Sequence, residues 1–78
     1  MPTILFLLGY RFFFYSNEGQ EPPHIHVTKG DAAGKIWLTP EIDIAYMHGF
    51  NSKEINQVQG IVTENAGLFK LKWNEYFS

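Results

Sequence analysis

The second half of the chain carries a single apolar stripe, and that stripe limits the folds open to it. Ile55, Val58, Val62, Ala66, Phe69, Trp73 and Tyr76 recur every three or four residues, the spacing that lines one face of an α-helix. Ser52, just after Gly49-Phe50-Asn51, is a suitable N-cap. The spacing predicts one long helix over residues 52–77, with room for a kink at Gly67, because the stripe keeps phase across it. The alternative is two shorter helices divided within Asn65-Ala66-Gly67. The first half has a different rhythm. Residues 3–8, 11–16, 24–29 and 35–39 read as strands, and residues 41–47, with Ile42, Ile44 and Tyr46 alternating, as a shorter fifth. Residues 11–16 are apolar on both faces, which suits an interior strand. Gly30-Asp31-Ala32-Ala33-Gly34 joins two of the strands as a hairpin. Asn17 to Pro23 is a loop, and its two closing prolines force an extended entry into the strand at His24. The expected fold is α+β: a small antiparallel sheet of four to five strands packed on one C-terminal helix. It forms a single domain over residues 1–78, with strands in 1–48 and the helix in 52–77.

A sheet of that width leaves an unfilled requirement. Four or five strands span roughly 20 Å, while one helix with its side chains is about 10 Å across. The uncovered surface must curl, stay exposed or meet another chain, which points to a homo-oligomer or a small dedicated protein partner. Leu71 points away from the stripe and Leu68 lies at its edge, as scattered surface leucines or as part of that partner surface. With 78 residues and no cysteine, disulfides, thiolate zinc sites, iron–sulfur clusters and cysteine nucleophiles are all excluded. The remaining staples for so small a core are a metal or a partner. Hydrophobic residues make up 45% of the chain, too many for a disordered tail. Six Lys and Arg against eight Asp and Glu give a net charge of −2, which disfavours broad, non-specific phosphate binding but leaves room for a local basic site. Residues 4–8 are apolar but too few for a membrane span. They lack the flanks of a signal peptide, so a cytoplasmic protein with no membrane association is expected.

Pro22-Pro23-His24-Ile25-His26-Val27 is the segment with chemical content. On a strand, Ile25 and Val27 face one way and His24 and His26 the other. If the hairpin pairs its apolar residues on the core side, Lys35 and Trp37 join the histidine face, and Arg11, Phe13 and Tyr15 are candidates for it. Three readings stand. Both histidines are structural, bonded to loop backbone near the prolines. Or His24 and His26 are two imidazole ligands of one divalent metal such as zinc, with His48 as the third ligand and Glu21 or Asp43 as substitutes. Or no cofactor is needed and the pair performs metal-independent acid–base chemistry on RNA. In that case Arg11 or Lys35 would stabilise developing charge and Tyr15 or Trp37 would stack on a base. No glycine-rich phosphate loop or serine-nucleophile context is present.

Several blocks together resemble the prokaryotic domain-of-unknown-function family 4160. They are Met1-Pro2-Thr3-Ile4, Gly9-Tyr10-Arg11-Phe12-Phe13-Phe14-Tyr15-Ser16, Glu21-Pro22-Pro23-His24-Ile25-His26-Val27, Gly49-Phe50 and Trp73-Asn74-Glu75-Tyr76-Phe77. The resemblance implies a small single-domain protein, often encoded beside another small protein in an arrangement read as a toxin–antitoxin pair. It transfers no reaction. Members tend to be polar where this chain has Phe6-Leu7-Leu8, and richer in charge where its helix has Gly60 and Gly67. The functional expectation is the toxin-like component of a two-protein module acting on RNA through catalytic His24, His26 and Arg11, with Tyr15, Lys35 and Trp37 binding substrate. The alternative is a non-catalytic protein- or metal-binding module.

Overall fold

A computed structural model describes residues 3–77; Met1, Pro2 and Ser78 of the expected domain lie outside the described residues. Five strands, β1 (Thr3–Leu7), β2 (Tyr10–Phe13), β3 (His24–Lys29), β4 (Ala32–Trp37) and β5 (Asp43–His48), precede two helices, α1 (Ser52–Glu64) and α2 (Ala66–Phe77). The strands form one antiparallel meander in chain order. The α+β expectation therefore holds, at its five-strand limit.

The alternation of β2, β3 and β4 builds the core. Tyr10, Phe12 and Phe14 lie beside Ile25 and Val27, then Ile36 and Leu38, all fully buried. Val58, Ile61 and Val62 of α1 and Phe69 and Trp73 of α2 close over them. The Tyr10 hydroxyl donates to Gln57 Oε1 at 2.7 Å, so the one polar atom that β2 carries into this layer is satisfied. The β3–β4 hairpin is tighter than expected. Lys29 pairs with Ala32, leaving Gly30-Asp31 as the turn, with Gly30 at φ 59°. Ala32, Ala33 and Gly34 thus belong to β4. A side chain at Gly34 would collide with Met47 of β5 and sit 3.2 Å from the Tyr46 carbonyl, so β4 and β5 approach as closely as they do because that position is glycine.

The single long helix is the expectation that fails. Asn65 divides it, at φ −110° and ψ 13°. Its backbone N–H and its side-chain Nδ2 both donate to the Ile61 carbonyl, at 3.0 and 2.8 Å, while its own carbonyl accepts the Phe69 N–H at 2.9 Å. One residue thus ends α1 and opens α2, as a short amide side chain competing with the helical backbone can do. Gly60 and Gly67 lie inside the helices and break neither. The cap is also displaced by one residue. Asn51, not Ser52, accepts from the Glu54 N–H at 2.9 Å, and the Glu54 carboxylate accepts from the Asn51 N–H at 3.0 Å, a complete capping box. No helix among the described residues is long and apolar enough to cross a membrane.

Candidate functional site

Strand pairing puts the two histidines where alternation requires. His24 lies opposite Trp37, and His26 lies between Lys35 on β4 and Phe13 on β2. The rings pack accordingly. His24 meets His26 edge-on at 5.1 Å and Trp37 at 5.3 Å, and His26 stacks on Phe13 at 5.7 Å. This face is not open. The 14–23 segment folds back across it, Tyr15 rests edge-on against His26 at 4.6 Å, and the Trp73 ring of α2 lies 4.9 Å from His24. His24 is 0% exposed and His26 5%.

Glu18 is the residue that closes the site. Its Oε1 lies 3.0 Å from His24 Nε2 and 2.8 Å from His26 Nε2, and its Oε2 lies 3.0 Å from His26 Nε2. The local sequence places it there. A turn brings the Glu21 N–H to the Glu18 carbonyl at 3.1 Å. Gly19 lies flat on Phe77, where an added Cβ would come within 2.7 Å of the ring. The two prolines then lead straight into β3, and the Leu38 N–H donates to the Pro23 carbonyl at 2.9 Å. His24 Nδ1 donates to the Pro22 carbonyl at 2.9 Å. Because a carbonyl only accepts, Nδ1 carries the proton, and a neutral ring then presents a lone pair at Nε2. That nitrogen is buried and has no hydrogen-bond partner; the 3.0 Å approach of Glu18 Oε1 lacks the direction of a hydrogen bond. A lone pair facing a carboxylate oxygen is unfavourable, and a buried polar atom left unpaired costs about 1–3 kcal/mol.

The electrostatics of the two partners differ. Burial pulls the Glu18 carboxyl upward, but the His24 and His26 rings beside it together outweigh that, and the net shift is below the usual carboxylate value. Burial is also the largest influence on His26. It lowers the imidazole, assisted by His24 and Lys35, and the opposing pull of Glu18 does not restore it. Glu18 is thus held charged and His26 neutral: the contact is an imidazole N–H donating to a carboxylate rather than a full ion pair.

The other expected site residues are distributed around this pair. Lys35 lies over the Trp37 ring at 4.3 Å and pairs with Glu21 at 2.7 Å. Trp37 walls a cavity of about 290 Å³ with Pro22, Thr39, Pro40, Glu41 and Asp43. Arg11 lies opposite Thr28, two residues along β2 from Phe13. Its Nε donates to Thr3 Oγ1 at 2.8 Å, and its guanidinium lies 4.2 Å from the Phe13 ring. His48 is elsewhere. It pairs with Ala33 at the far end of β4 and stacks on Tyr46 at 5.0 Å. Among the described residues, the group with ligand atoms within 4.8 Å of one another is Glu18, His24 and His26, so Glu18 stands where the sequence suggested His48, Glu21 or Asp43. The signal for Glu18 was a loop fixed at its exit by two prolines, which returns one of its two carboxylates across the strand it enters. An imidazole in this setting can hold a cation or brace the loop. To take a proton from an RNA hydroxyl, the loop would first have to lift.

Comparisons with curated proteins and with solved structures gave no match. The model of the family described as Domain of unknown function (DUF4160) matches residues 9–74, a stretch that contains β2 through most of α2 and all three members of the Glu18–His24–His26 group, and the chain belongs to that family.

Proposed function

We propose that this chain is a non-catalytic protein-binding module, the partner-dependent half of a two-protein system. One observation carries the reading: the β1–β2 turn holds a leucine in a backbone state that leucine disfavours, and turns it outward. Leu8 has φ 54° and Gly9 φ 83° between paired Leu7 and Tyr10, the two-residue arrangement that ordinarily takes Asn-Gly. A leucine there costs roughly 1–2 kcal/mol relative to a residue that tolerates the left-handed region, and this one is 63% exposed. Local strain kept at an exposed apolar tip fits a binding role. Phe6 beside it is 67% exposed and Leu71 of α2 55%, with Leu7, Leu68 and Tyr76 also exposed. A shallow cavity of about 180 Å³, lined by Ile4, Lys72, Glu75 and Tyr76, connects β1 to α2. β1 is an edge strand, so backbone groups as well as apolar side chains are available to a partner. The family resemblance supplies the class of partner, a second small protein encoded beside this one.

The test is co-expression with that neighbouring protein and measurement of the intact mass by native mass spectrometry. A stoichiometric complex that dissociates when Phe6→Lys or Leu71→Lys is introduced is the expected result. A complex indifferent to both changes would overturn the surface, and a gene with no small neighbour would overturn the two-protein part. RNA cleavage by the purified chain, lost in His26→Gln with folding intact, would replace the reading with the toxin-like, ribonucleolytic one.

A further inference from the structure

We propose that Glu18, His24 and His26 bind one divalent transition-metal ion, with zinc the best suited, and that the ion clasps the loop ahead of β3 onto the strand. This goes beyond partner binding and does not depend on it.

Four observations converge. The three candidate ligand atoms lie within 4.8 Å of one another, and the two imidazole nitrogens approach the same carboxylate oxygen at 3.0 and 2.8 Å. Ligands held about 2.0–2.2 Å from a tetrahedral zinc ion are roughly 3–3.5 Å apart, so the two carboxylate–imidazole separations need only a few tenths of an ångström of expansion to accept an ion. His24 Nε2 is buried with no hydrogen-bond partner, and its ring is fixed from behind by the bond from Nδ1 to the Pro22 carbonyl at 2.9 Å. That is the outer contact by which metal-binding histidines are oriented, and it leaves the other nitrogen free to coordinate. The donor set of two imidazoles and a carboxylate matches zinc and its neighbours, whereas magnesium and calcium prefer oxygen alone. Finally, Lys35, the ammonium group on this face, is paired with Glu21 at 2.7 Å, which offsets part of its opposition to a second cation.

Three protein ligands leave one position for water. The chain has no cysteine, and an ion joining Glu18 to β3 would supply the cross-link that a core this small otherwise lacks. The ion adds no covalent step; its effect is to hold the loop.

Untagged protein, stripped with a chelator, is titrated with zinc chloride by calorimetry and with cobalt(II) by visible absorption. The expected results are about one equivalent of zinc per chain, cobalt bands of low-coordinate geometry, a higher melting temperature with zinc, and slower amide exchange over residues 15–22. Glu18→Gln and His26→Gln should each weaken zinc at least about tenfold, while His48→Gln binds as the parent does. A folded parent protein that takes up neither ion and shows no thermal shift would overturn the proposal, as would loss of binding in His48→Gln. Should either ligand variant fail to fold, the parent titration and His48→Gln decide the question on their own.

Discussion

The two ends of the sheet hold unusual residues of opposite kinds. At one end, His24 and His26 are polar and ionisable yet buried, with the loop carboxylate of Glu18 against both rings. At the other, Phe6, Leu7 and Leu8 are apolar yet exposed, on an edge strand and a strained turn. Each end departs from the ordinary partition of polar and apolar residues. The withdrawn histidines act on the chain itself, by fixing its longest loop. The exposed hairpin is the surface proposed for a partner, because nothing among the described contacts needs an outward leucine at positive φ.

The contrast can be broken by substitution, beginning with the greatest expected loss. His24→Ala removes a fully buried ring in contact with Trp37 and Trp73 and leaves the Pro22 carbonyl without its donor. It should cost about 3 kcal/mol in urea unfolding, and an effect under about 1 kcal/mol would mean that the ring is not packed as described. Glu18→Ala strips the acceptor from the His26 ring N–H and should cost about 2 kcal/mol, with the 15–22 amides losing exchange protection before the strands do. At the hairpin the sign reverses. Leu8→Asn suits φ 54° and should stabilise the chain by about 1 kcal/mol while weakening partner binding, a combination expected of a residue kept for recognition. A destabilised Leu8→Asn would remove the strain argument. The smallest effect belongs to His48→Ala, whose exposed ring only stacks on Tyr46. It should stay within about 0.5 kcal/mol of the parent.

Much of this was legible in the residues because strand alternation is a strict rule. The period of two placed His24 and His26 together, opposite Ile25 and Val27, and carried Lys35 and Trp37 to the same face across the hairpin. The apolar stripe located the helical half and most of its buried positions. Features set by local bonds escaped, because no period encodes them. The break at Asn65 depends on where one amide points, and the stripe runs through it undisturbed. Glu18 lies in a loop, where spacing carries no face, and the sequence favoured acids or histidines on strands or nearer the prolines. The sheet is covered by two helices rather than one: α1 and α2 lie over the Phe12–Ile25–Ile36 side, and Phe6, Leu7 and Leu8 at the β1 end stay exposed.

The whole site depends on two of the three histidines being sealed and the third open. Diethyl pyrocarbonate modification of the native, metal-free protein, followed by peptide mass analysis, reads this residue by residue. Rapid modification of His48 is expected, with slow modification of His24 and His26 that accelerates at both on unfolding. Equal rates at all three would contradict the claim, because the loop that carries Glu18 would then not be closed over the strand.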